Sequence, residues 1–117
     1  MFIALIITTA LLALVAVNSA AMKLRRNEQV VATISGTVGL PERHIPTLAV
    51  LEIAGGLGIV AGLWFAPLGV AAAAGLTAYF IGAVIGHLRV GDTKGVASPI
   101  IPLVLSVAVL VLRVDTA

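Results

Sequence analysis

Long uncharged runs divide this chain into spans, and the few polar residues mark where the spans end. No charged side chain occurs between Met1 and Met22, and at about 1.5 Å per residue such a run covers a hydrocarbon layer of roughly 30 Å. A second uncharged run, from Ile53 to Gly86, would make one helix of about 50 Å, too long to cross a bilayer unbroken. It must fold back, and Pro67-Leu68-Gly69 is the predicted turn, because proline lacks the N–H that continues a helix and glycine tolerates a reversal. Ser98-Pro99 opens the last span with a hydroxyl suited to an N-cap and a proline suited to the first turn. Pro102 is also near that start, where it costs little, and the chain then stays apolar as far as Arg113. The pattern predicts spans at 2–22, 46–66, 69–88 and 98–114, in one domain over residues 1–117.

Between the first two spans, Val30, Val31, Ile34 and Val38 recur at helical spacing between Asn27 and Pro41. A short interfacial helix is predicted there. Gly36 and Gly39 weaken it in water, so the membrane surface or the mouth of the bundle has to hold it.

Composition excludes a water-facing globule: 61% of the 117 residues are hydrophobic, 10% are charged, and mean hydropathy is +1.21. With no cysteine, the chain carries no disulfide, thiolate metal site, iron–sulfur ligand or CxxC switch of its own. A net charge of +2 on scattered residues offers no groove for nucleic acid. The basic residues speak instead to topology. Lys23, Arg25, Arg26 and Arg43 lie between spans one and two, Arg89 and Lys94 lie between spans three and four, and Arg113 stands alone at the opposite side. The positive-inside rule therefore places both loops in the cytoplasm and both termini outside. Basic residues following the first span, rather than preceding it, argue against a cleaved signal peptide. The fold class expected is an all-α integral membrane protein, a compact four-transmembrane-helix bundle with an interfacial helix in the first cytoplasmic loop.

Two seams of small residues bear on packing. Span two carries Gly58-x-x-x-Gly62, preceded by Ala54, and span three carries Gly82-x-x-x-Gly86, preceded by Ala74 and Ala78. Small side chains at i and i+4 let helices approach closely, and a short turn makes these two spans antiparallel neighbours. Both seams are expected to pack helices; the alternative is that one faces another protein.

Glu52 is the most informative residue. It lies about six residues into span two, roughly 9 Å along the helix, where an unpartnered carboxylate is costly. His87, Arg89 and Lys23 stand near the same membrane face, Asn18 lies about a turn and a half before Lys23, and Tyr79 is two turns deeper than His87 on nearly the same helix face. Antiparallel topology places Asn18, Lys23, Glu52, His87 and Arg89 in one layer near the cytoplasmic face, while Tyr79 either lines the same cavity or simply packs. Three readings follow. Glu52 pairs with Lys23 or Arg89 while His87 donates to a neighbouring helix, fixing the register of the bundle. Alternatively, Glu52, His87 and Tyr79 bind the polar head of a quinone, lipid or other amphiphile whose apolar body lies between spans. The third reading is a proton or cation path through a small oligomeric transporter, with Thr8 and Thr9 as its continuation toward the outer face. No metal-ligand spacing is present, since a Glu52/His87/Asp92 set follows no recognisable pattern and His87 would give haem at most one axial ligand. No catalytic residue and no cofactor within the chain is expected.

Ala21-Met22-Lys23-Leu24, Leu51-Glu52-Ile53-Ala54-Gly55-Gly56-Leu57-Gly58, Gly62-Leu63, the Pro67 hairpin, the alanine-rich third span ending Gly86-His87-Leu88-Arg89 and an uninterrupted last helix occur together over nearly the whole chain. In that combination the sequence resembles the DoxX-like family of four-span bacterial membrane proteins. The resemblance implies a four-helix bundle in which Lys23, Glu52, His87 and Arg89 match recurrent polar positions. It also implies several kinds of work: membrane subunits of sulfur-compound:quinone oxidoreductases, partners in membrane-associated redox complexes and, among distant eukaryotic relatives, receptor-assembly chaperones. The function expected is a non-catalytic accessory subunit of the bacterial inner membrane that docks to or stabilises a larger membrane complex, redox- or lipid-linked. Its partners would be the bilayer and another membrane protein or a second copy of itself. The alternatives are a protein that binds a quinone or lipid, and a small proton-coupled transporter.

Overall fold

The computed structural model describes residues 1–117. α1 (Phe2–Leu24) is followed by a short α2 (Glu28–Val31), which widens into a π-helical turn over Ala32–Thr37. A 3₁₀ turn over Glu42–His44 leads into α3 (Ile45–Ala61), and α4 (Ala66–Arg89) and α5 (Ala97–Thr116) complete the chain. The molecule measures 41 × 25 × 18 Å, so its long axis exceeds the roughly 30 Å of a hydrocarbon layer, and four helices are long and apolar enough to cross it.

The four long helices run up and down in a ring. α1 packs on α3 and α5, and α4 packs on α3 and α5, so every neighbour is antiparallel. The bundle thus has a loop end, which carries both polar loops, and a hairpin end, which carries the α3–α4 turn and both termini. Each long helix turns one seam inward with steps of three and four residues. α1 buries Leu5, Thr9, Leu12, Ala16, Ala20 and Lys23, and α3 buries Ile45, Ala49, Glu52, Gly56 and Ile59. The inward seam of α4 runs through Gly69, Ala73, Leu76, Phe80 and His87; that of α5 runs through Pro99, Pro102, Ser106, Val109 and Arg113. Leu5, Leu12, Ile59, Ala73, Leu76, Phe80 and Val109 form the apolar core between the polar ends. The outward flanks are equally apolar, as lipid requires.

α1 and α4 stop at the loop end by the same device. Asn27 N–H donates to Met22 O and Arg26 N–H to Lys23 O after α1; Asp92 N–H donates to His87 O and Gly91 N–H to Leu88 O after α4. Both are Schellman closures, which require a left-handed residue just past the helix. Gly91 meets that need at φ +72°, whereas Arg26 does so at φ +52° despite its Cβ, at a cost of about 1–2 kcal/mol. Asn27 then caps α2, its Oδ1 accepting from Gln29 N–H and Val30 N–H.

Three expectations shift. The reversal between α3 and α4 occupies Gly62–Phe65, not Pro67-Leu68-Gly69. Pro67 starts the second helix instead, where its missing N–H is harmless. Span two accordingly ends at Ala61 and span three begins at Ala66. Ser98 does not cap α5, because that helix already begins at Ala97, with Lys94 O and Gly95 O receiving its first N–H groups. Between Asn27 and Pro41 the chain is helical over residues 28–37, and Val30, Val31, Ile34 and Val38 are half-buried.

The two glycine seams part company. Gly55 and Gly58 on α3 and Gly62 just past its end face Leu76, Ala72 and Gly69 on α4, pairing in antiparallel register. A methyl at Gly55 would stand 2.6 Å from Leu76 Cγ, one at Gly58 2.7 Å from Ala72 Cβ, and one at Gly62 2.6 Å from Gly69 N. By contrast, Gly82 has open space where a side chain would be, and Gly86 meets only Val38 of the first loop, 3.2 Å away. The Gly82-x-x-x-Gly86 seam therefore packs no helix of this bundle. It is turned outward because the inward seam of α4 is the one through Leu76 and Phe80.

Candidate functional site

Glu52, on α3, is 0% exposed and is reached from two other helices, α1 and α4. Ser19 of α1 lies one helical turn before Lys23, so the two side chains share a face. Lys23 Nζ donates to Ser19 Oγ at 2.7 Å and also to Glu52 Oε1, with which it forms a buried ion pair. Ser19 Oγ donates to the same carboxylate oxygen at 3.3 Å, and Tyr79 OH reaches it from α4 at 3.1 Å. Ammonium, hydroxyl and phenol thus converge on Oε1, while Oε2 is buried with no partner. The pair is neutral overall, which is the condition under which a charge can remain at this depth. Chemically, the arrangement ties α1, α3 and α4 together at one height and leaves one acceptor oxygen unused.

His87 belongs to a different group. The Schellman closure of α4 brings Asp92 back beneath it, and His87 Nδ1 lies 2.7 Å from Asp92 Oδ2. Asp92 Oδ1 accepts Gly95 N–H at 3.0 Å. The hydrogen bond with His87, followed by that from Gly95, holds the Asp92 carboxyl below the usual carboxylate range. An ionised carboxylate can only accept, so Nδ1 carries the shared proton. Gly95 is needed for this clasp, since a methyl there would stand 2.6 Å from both Asp92 Cγ and His87 Nδ1.

A lowered carboxyl pKa favours the folded loop above the ordinary aspartate value of about 3.9, and the advantage is lost as pH falls through the lower folded value. The Gly95 amide resonance is therefore expected to titrate with a midpoint below about 3.9 and to lose that transition in Asp92→Asn. A midpoint at or above the ordinary value would mean that the clasp does not form.

The six expected site residues thus divide. Lys23, Glu52 and Tyr79 meet, His87 turns to Asp92, and Asn18 and Arg89 are exposed. Asn18 sits about 100° around α1 from Ser19 and points outward, its amide 3.9 Å from Met22 Sδ. Arg89 follows His87 by about 200°, on the opposite face of the helix. From the sequence, Ser19 is not named as a partner, although its four-residue spacing to Lys23 points to it, and Asp92 is named beside His87 only in a metal set without recognisable spacing. Arg113, treated in the sequence only as a topology marker, is buried at the hairpin end. Thr8 returns its hydroxyl to Ala4 O, and Thr9 is buried with an unpaired hydroxyl, well away from Glu52 along α1.

No curated protein and no solved structure matches the chain. The profile of the DoxX-like family matches residues 7–109, a stretch that includes the Lys23–Glu52–Tyr79 cluster and the His87–Asp92 clasp. Four apolar helices in an all-helical bundle together with that match make this a multi-pass membrane protein, and the chain belongs to the DoxX-like family.

Proposed function

We propose that the chain is a non-catalytic accessory subunit of the bacterial inner membrane, its termini outside, which docks sideways onto a larger membrane complex through the outer face of α4. The observation that carries this reading is the row Ala71, Ala74, Gly75, Ala78 and Gly82, all exposed and spaced by three and four residues on one side of the helix. Glycine costs about 1 kcal/mol in a helix and offers lipid little to pack against, but it lets another helix come close. The bundle already packs α3 on α4 through Gly55, Gly58 and Gly62, so this second row is free for a partner. The Glu52 cluster suits a supporting role, since its donors are spent on holding helices together.

Extraction from the native membrane in mild detergent, followed by native electrophoresis and mass spectrometry, is expected to yield a larger assembly of fixed stoichiometry. Ala78→Leu with Gly82→Leu should not lower the melting temperature and should cut the co-migrating fraction about tenfold, equivalent to about 1.4 kcal/mol. Migration of the wild type alone, or a variant that keeps its partner, would overturn the proposal. A homo-oligomer would make a second copy the partner.

A second reading rests on the unpartnered Glu52 Oε2, which can accept a hydroxyl from a quinol or a lipid headgroup. Glu52→Gln separates the two. The ligand reading expects a folded variant that no longer retains a co-purifying quinone or lipid; the supporting role expects a destabilised one.

A further inference from the structure

Arg113 is 6% exposed and has no carboxylate within ion-pair distance, the ion pairs of the chain being Lys23–Glu52, Arg26–Glu42 and His87–Asp92. Its stem runs over bare backbone, with a methyl at Gly69 standing 3.0 Å from Arg113 Cδ and 3.1 Å from Cγ. One guanidinium nitrogen donates to Gly62 O at 3.0 Å, the carbonyl that ends α3. The Phe2 ring lies beneath the charge at 5.9 Å. Nε is buried and has no partner. A carbonyl and a ring face offset part of a guanidinium charge, but a buried cation is ordinarily matched by an anion. Here the protein provides none, since Asp115, two residues on, is exposed and makes no ion pair.

The height of the group indicates where that anion comes from. Gly62, which receives the guanidinium, opens the α3–α4 turn, and the same turn projects Trp64, 82% exposed, and Phe65, 62% exposed. Exposed aromatics at the end of a membrane bundle mark the headgroup level. Arg113 is thus a buried, incompletely satisfied fork at the depth where lipid phosphates lie, and the planar fork matches phosphate oxygens two at a time.

We propose that Arg113 is the binding site for a phosphate-type oxyanion at the hairpin end, filled by the headgroup of an anionic phospholipid. The site is separate from both the Glu52 cluster and the outer face of α4, and so does not depend on how the chain docks.

The single tryptophan of the chain stands beside the site and reports on it directly. The full chain is placed in vesicles of dibrominated phosphatidylcholine into which dibrominated or unlabelled phosphatidylglycerol is titrated, and Trp64 quenching gives the relative affinity of the two lipids. Phosphatidylglycerol is expected to be preferred about fivefold, the worth of one basic side chain near a membrane surface. The preference should disappear in Arg113→Gln and persist in part in Arg113→Lys. Inorganic phosphate at millimolar concentration decides the source: no effect assigns the site to lipid, and displacement of the phosphatidylglycerol preference keeps the oxyanion site but overturns the lipid as its occupant. Equal affinity for the two lipids in the wild type would overturn the proposal, as would an unchanged preference in a folded Arg113→Gln. If Arg113→Gln does not fold, the wild-type ratio and the Arg113→Lys value decide it.

Discussion

Glu52→Ala is expected to cost about 3–5 kcal/mol and to bring the largest fall in melting temperature of any single substitution considered, because it leaves the Lys23 ammonium buried without its counter-charge. Ser19 and Tyr79 lose their acceptor in the same step, and each stranded donor adds to the cost. The size of the effect reflects the stranded partner more than the strength of the pair. Replacing both ends, as in Lys23→Met with Glu52→Leu, should therefore recover the part of the loss due to the stranded ammonium, leaving only the cost of the Ser19 and Tyr79 hydroxyls. Thermal melts of the single and double variants in one detergent provide the check. A Glu52→Ala protein that melts like the wild type would show that the carboxylate does not hold the helices together.

Gly62→Leu is expected to have the next largest effect. A first side-chain carbon at this position would stand 2.6 Å from the backbone nitrogen of Gly69, and backbone cannot rotate aside as a flexible side chain can. α3 and α4 must separate where Arg113 also bonds to Gly62 O, so the loss should exceed the 1–3 kcal/mol typical of overpacking, at about 3–4 kcal/mol. Gly82→Leu is the matched comparison, with the same residue types in the same motif but open space around it, and its melting temperature should not fall below that of the wild type. Equal losses at both positions would mean that the close approach at Gly62 does not set the cost, since helix propensity alone favours leucine over glycine.

The contrast between those two glycines shows how much could be read from the chain alone. The number of spans was legible, because charge is scarce and each cluster of it marks an end. Glu52 was legible as an anomaly, since a carboxylate within an apolar run demands a partner. What could not be read was rotation. In water an amphipathic stripe tells which face of a helix is buried, but here both faces are apolar and hydropathy no longer distinguishes them. Asn18 and Ser19 are equally polar neighbours, and only the step of four to Lys23 separates the inward one from the outward one. Helical arithmetic likewise sets Arg89 apart from His87, but the meeting of Tyr79 with Glu52 depends on how α3 and α4 are rotated against each other. Gly58 and Gly82 sit in identical motifs, and nothing local says that one faces a helix and the other does not. The Asp92 clasp was hidden for another reason, since it depends on how α4 closes at Gly91 and not on a periodic pattern.

The partners of Glu52 also carry information about time. Two of its three donors, Ser19 and Lys23, lie on α1, earlier in the chain, and Tyr79 follows on α4. A chain that enters the membrane from its N-terminus has already placed the ammonium at the end of its first helix, where a long lysine stem can keep it at the interface, before the carboxylate is synthesised. The acid can therefore be neutralised on arrival, and α1 and α3 can assemble as a pair before α4 and α5 exist. The most polar residue of the bundle interior thus need never cross the hydrocarbon alone.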